Sequence, residues 1–165
     1  GLDLGKKQDY SVIAVLEKDE GILKLKHLKH FDLETSYASI IGYVKIVSER
    51  WQTFYRVAVD QSGVGEYIVE DMNNAGIPNV EGIVLTMPKK EEVLGYLKQM
   101  MLEGRLKLPY DQELIAEMNI EKYERTKDGH IRFSHPESSH DDRLWALALS
   151  VYASRGRDSG VVIPL

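Results

Sequence analysis

Residues 1–15 read GLDLGKKQDYSVIAV. A short apolar strand carries Asp3 between Leu2 and Leu4, turns at Gly5 through Lys6 and Lys7, and resumes as a second apolar run. A carboxylate flanked by strand leucines is costly to bury unless a partner or a cation uses it. The partners of Asp3 must come from elsewhere in the chain.

Working outward, DYSVIAVLE (9–17) reads as the second strand and GILKLKHLKHF (21–31) as the third, with Asp19-Glu20-Gly21 as the turn between them. Leu23 and Leu25 alternate with Lys24 and Lys26, the strand period. The first three strands therefore read as an antiparallel meander. SYASIIGYVKIVSERW (36–51) places Ile40, Ile41, Val44 and Val47 at helical spacing. YRVAVD (55–60) is a short apolar strand ending in Asp60, and GEYIVEDMNNAG (65–76) is helical up to Gly76. VEGIVLT (80–86) is a fifth strand, KKEEVLGYLKQMMLEG (89–104) a helix and DQELIAEMN (111–119) a shorter helix. EKYERTKDGHIRF (121–133) is a hairpin around Asp128-Gly129, and SSHDDRLWALALSVYAS (138–154) is the final helix. This order predicts an α/β domain, a mixed five-stranded sheet with helices on both faces and a late β-hairpin. If the first and fourth strands are neighbours, Asp3 and Asp60 share one sheet edge, where ligands of open α/β sheets bind.

Composition narrows the chemistry. At 165 residues the chain suffices for one domain over 1–165, burying roughly 70% of its unfolded surface. The absence of cysteine excludes disulfides and thiolate metal sites and fits a reducing compartment. No apolar run approaches the ~20 residues of a membrane span. The net charge of -5 argues against tight metal-free binding to nucleic acid, though not against an acidic site that recruits phosphate through cations. Opening at Gly1 directly into a strand reads as a domain cut from a longer protein.

Asp60 precedes the glycine-containing loop QSGVG, where Gly63 and Gly65 allow a tight strand-to-helix turn. In the final helix Leu144, Leu147, Ala148 and Val151 form a stripe joined by Trp145 and Tyr152. A helical wheel puts Asp141 on that stripe and Asp142 at its edge, about 100° round. Ser139 to Asp142 also matches a capping box, which accounts for one acid but not for a second turned toward the core. Four carboxylates brought together repel unless cations intervene. With oxygen ligands only, the natural occupants are two Mg²⁺ or Mn²⁺ ions, suited to phosphodiester hydrolysis.

GLDLG, VAVDQSGVGEYIVEDM and SHDDRLWALAL, in this order and with LEGRLKLP and the hairpin between the last two, resemble the nuclease domain of tailed-bacteriophage large terminase subunits. That domain belongs to the ribonuclease H-like superfamily. The resemblance implies an endonuclease that cuts concatemeric double-stranded DNA during viral genome packaging, in the host cytoplasm. It also implies an N-terminal packaging ATPase domain, a portal protein and a small terminase subunit as partners. Asp3 and Asp60 match the family's strand ligands, and Asp141 and Asp142 its paired helix acids. Family precedent leans to Asp142 as the direct ligand and the wheel to Asp141, so both are retained. Many relatives carry a further Asp where this chain has Trp145.

His140 is a candidate to orient water, contact phosphate or hold metal, or is a polar neighbour of the helix start. Asp9 is read mainly as a turn residue. Lys6, Lys7, Lys89 and Lys90 are candidate DNA contacts, the last two because cations are disfavoured at a helix start. The rival readings are a Holliday-junction resolvase or transposase, an actin-like ATPase fragment, and a non-catalytic docking module of a packaging motor. The ATPase reading lacks a second glycine-rich phosphate loop.

Overall fold

A computed structural model of the chain describes residues 1–5, 9–51, 54–120, 122–125, 131–134 and 140–156. Its strands are β1 (Leu2–Asp3), β2 (Val12–Asp19), β3 (Ile22–His30), β4 (Val57–Asp60), β5 (Val80–Ile83), β6 (Leu106–Lys107), β7 (Lys122–Arg125) and β8 (Ile131–Ser134). Its helices are α1 (Tyr37–Arg50), α2 (Tyr67–Asn74), α3 (Met87–Leu102), α4 (Gln112–Ile120) and α5 (Asp142–Ala153). No helix among the described residues is long and apolar enough to cross a membrane.

The main sheet runs β5-β4-β1-β2-β3-β6. β1, β2 and β3 form the expected antiparallel meander, while β4 pairs parallel with both β1 and β5. The sheet has six strands rather than five. The sixth, β6, comes from the LEGRLKLP stretch and pairs parallel with β3 through Leu23–Leu106 and Lys24–Lys107. Two residues are too few to show alternation, and the strand is held by partners remote in sequence. Leu23 N–H donates to the Arg105 carbonyl at 2.8 Å, and Arg105 Nε donates to the Gly21 carbonyl at 2.9 Å. β7 and β8 form the expected hairpin from Lys122–Ser134 to Arg125–Ile131; its Asp128-Gly129 turn lies outside the described residues.

Strand alternation divides the core between the two faces. Leu2, Leu4, Ile13, Val57 and Val59 pack with α1 and α2 on one face. Val12, Ala14, Leu23 and Leu25 pack with α3, α4 and α5 on the other. Ala58 joins Ile83, Leu149 and Ala153 on the α5 side. α5 lies very close to β1, since a Cβ at Gly1 would collide with the Ala146 carbonyl oxygen and the Ser150 amide. From Leu144 to Val151 every residue of α5 is buried.

Truncating the α5 stripe should be costly. Leu147→Ala, at a fully buried position, is expected to destabilise by about 2–5 kcal/mol in denaturant unfolding. Ile46→Ala, on a side chain 64% exposed, should stay within about 0.5 kcal/mol. Equal losses at the two positions would contradict this assignment of the core.

Candidate metal centre

β1 pairs in parallel with β4 through Leu2–Val59, so Asp3 and Asp60 follow as the next register position at the same sheet edge. Leu2 and Leu4 take the α1–α2 face, which leaves Asp3 on the α5 face, only 9% exposed. The chain leaves β1 through a pinned turn. Gly5 N–H donates to Ser11 Oγ at 3.1 Å, and Tyr37 Oη donates to the Gly5 carbonyl at 3.0 Å. A Cβ at Gly5 would collide with the Asp9 backbone, so the tight return requires glycine.

Asp60 ends β4 and is half-buried. Its Oδ1 accepts the Ser62 N–H at 2.8 Å, an Asx turn that aims the loop back over the sheet edge. Ser62 Oγ in turn accepts the Leu85 N–H at 2.7 Å, tying the end of β4 to the segment after β5. Gly65 has φ +83° and supplies the left-handed residue that turns the loop into α2.

α5 contributes the paired acids, but their placement differs from the wheel. Asp142 is the first helical residue and is 9% exposed, whereas Asp141 is half-buried. The wheel assumes helical geometry through Asp141. The structure makes that residue the N-cap, with φ −132° and ψ 15°, so its side chain departs from the helical projection. Trp145 then holds it, Nε1 donating to Asp141 Oδ2 at 2.7 Å. Asp142 Oδ2 is buried with no hydrogen-bond partner. The His140 ring is exposed, with its Nδ1 3.7 Å from that same oxygen, and it meets the Tyr10 ring in a T-shaped contact at 5.2 Å between centroids.

These acids act on one another. Burial pushes the Asp3 carboxyl well above its ordinary value, and Asp142, Asp60, Asp141 and Asp9 each push it further. Burial raises Asp142 to about 6, with Asp141, Glu117 and Asp9 adding to the rise and His140 opposing it. Among the described residues, Lys89 and Arg143 are paired with other acids and Lys90 lies over an aromatic ring. Lys89 donates to Glu92 at 2.6 Å and to Tyr152 Oη at 3.2 Å, Lys90 sits 5.0 Å from the centre of the Trp145 ring, and Arg143 pairs with Glu113 and Glu117. Lys6 and Lys7 lie outside the described residues, as does Ser139, the capping residue expected from the sequence, and the N-cap position of α5 falls on Asp141.

Among the described residues no three acidic or histidine side chains already stand as a complete ion cage. The donor set nonetheless fits a hard cation: buried carboxylates, mutually repelling, one of them with an orphaned oxygen. Sequence reading gave no role to Glu117, a buried acid on α4 that bonds the first turn of α5. The one signal for it was an acid three residues after Leu114, on the helix face that packs inward.

Known proteins are similar to this chain in sequence and in fold. The large terminase subunit of Thermus virus P23-45 is 31% identical over 159 residues, covering 96% of this chain and 32% of that protein. The chain thus spans about a third of the length of the curated relatives it matches. The large terminase nuclease domain of Thermus phage P74-26 superposes with a TM-score of 0.79 at 29% identity, covering 96% of this chain and 80% of that one. The large terminase nuclease of thermophilic phage G20c with bound magnesium gives 0.80 at 29% identity, covering 92% and 78%. The same G20c nuclease with cobalt and with zinc gives 0.76 and 0.72 at 28% and 26% identity, again over 92% and 78%. These likenesses support a nuclease role. Residues 1–153 match the terminase RNaseH-like domain model, and the chain belongs to that family.

Proposed function

We propose that the chain is a divalent-metal-dependent DNA endonuclease domain that cuts concatemeric viral DNA during genome packaging. The observation that carries this reading is the buried, unpartnered Oδ2 of Asp142, set within the group of carboxylates that act on Asp3. Two magnesium or manganese ions would supply an activated water for in-line attack and stabilise the leaving oxygen, yielding 3′-hydroxyl and 5′-phosphate ends. Asp3, on which the other carboxylates act, would hold the ions together with Asp60 from β4 and the acidic pair from α5. Asp142 is favoured over Asp141 as the direct ligand because Asp141 Oδ2 is engaged by the Trp145 indole. His140, exposed beside Asp142, is placed to orient water or meet a phosphate.

Lys90, over the Trp145 ring one turn from Asp141, is better placed than the ion-paired Lys89 to meet the DNA backbone; Lys6 and Lys7 complete the proposed contacts. A net charge of -5 gives the domain little attraction of its own for double-stranded DNA. Delivery then falls to an N-terminal packaging ATPase in the whole protein, with the portal protein and small terminase subunit as further partners in the host cytoplasm. The support is the likeness to large terminase subunits of which this chain spans a third.

Plasmid incubated with Mn²⁺ should be nicked and linearised by the chain. Chelator should abolish cleavage, and Asp60→Asn should reduce it at least ~100-fold. Cleavage that survives both, or that is confined to branched DNA, would count against the reading.

The raised acids also give a pH signature in the metal-free chain. Asp142 titrates near 6 when folded against about 4 when unfolded, so the folded state holds that proton more tightly. Its contribution to stability is complete below about pH 4 and is lost as pH rises through 6, and the raised Asp3 acts in the same direction. Thermal midpoints from pH 4 to 8 should show Asp142→Asn gaining on the wild type between about pH 4 and 6 and holding that gain above 6. Mg²⁺ at pH 7.5 should raise the wild-type midpoint and leave the variant nearly unmoved. Parallel profiles for the two proteins would rule this out.

A further inference from the structure

The first turn of a helix has backbone N–H groups without intrahelical acceptors. The usual remedy is local: an Asp at the N-cap accepts the N–H of the second or third helical residue. α5 has an Asp at that position, yet the Asp141 side chain makes no capping bond and accepts instead from Trp145 Nε1. The third N–H of the helix, that of Leu144, donates to Glu117 Oε2 at 3.0 Å, across 27 positions of sequence. The other carboxylate oxygen of Glu117 accepts from Arg143 Nη1 at 3.0 Å, and Arg143 also pairs with Glu113. Glu117 is only 6% exposed, and both its oxygens are occupied within α5.

We infer that Glu117 is a positioning residue that caps α5 from a neighbouring helix and so releases Asp141 and Asp142 from capping for the proposed metal centre. The inference rests on the metal-dependent reading above. Without this acceptor the buried N–H of Leu144 is left unpaired and becomes available to Asp141, the residue already at the N-cap. Asp141 would then leave the Trp145 indole, and the first turn carrying Asp142 would shift relative to Asp3.

Two variants separate reach from charge. Glu117→Asp keeps the charge but is one methylene too short to reach Leu144; Glu117→Gln keeps the reach and an acceptor oxygen but loses the charge. Mn²⁺ affinity is read by calorimetry, and the Trp145 indole N–H resonance by NMR, with Trp51→Phe identifying which indole is which. E117D is expected to bind Mn²⁺ about 10-fold more weakly and to shift the indole resonance, while E117Q stays within about threefold with the resonance in place. An E117D that matches the wild type in both, or an E117Q as impaired as E117D, overturns the inference. If the wild type binds no Mn²⁺, the metal reading fails, and the metal-free indole resonance still decides the capping exchange. Should E117D not fold, hydrogen exchange at Leu144 in the wild type decides: protection is expected, and exchange at the rate of an open amide refutes the cap.

Discussion

The alternation of β1 governs the rest of the structure. With Leu2 and Leu4 committed to the α1–α2 core, Asp3 has no choice but the opposite face, under α5. The parallel pairing with β4 then brings Asp60 to the same edge, and the packing of α5 on β1 brings Asp142. Each step is ordinary strand geometry, but together they gather like charges in a place water barely reaches. Such a cluster opposes folding by its own repulsion. The surrounding apolar core must hold it in spite of that cost, which the proposed divalent ions would relieve.

Stability and proposed chemistry therefore draw on the same helix in opposite directions. The two apolar layers supply the stabilisation, with α5 buried along its length from Leu144 to Val151. The first turn of that same helix is where the unpartnered carboxylate oxygen sits. The helix is anchored by its apolar body and strained electrostatically at its beginning, the division of labour expected of a rigid element that presents ligands.

Much of this was legible in the sequence. The meander, the order of strands and helices, and the acids at the ends of β1 and β4 follow from alternation, helical spacing and the placement of Asp3 and Asp60 beside turn residues. Three features escaped, for separate physical reasons. β6 is too short to have a period and is defined by Arg105 and its contacts with the β2–β3 turn. The relative burial of Asp141 and Asp142 depended on where the helix starts, which a wheel assumes rather than derives. The role of Glu117 is a hydrogen bond across 27 residues, which no local spacing encodes.

The contact of Gly1 with α5 has a consequence for how the family can drift. A side chain at Gly1 would meet the Ala146 carbonyl oxygen and the Ser150 amide, so strand and helix touch main chain to main chain there. The separation of β1 from α5 is set at that point by polypeptide that every sequence shares, not by the size of any side chain. Exchanges among leucines, valines and methionines elsewhere in the interior leave that main-chain contact as it is. The clearance between the two acid-bearing elements holds at that point as long as that one position stays bare.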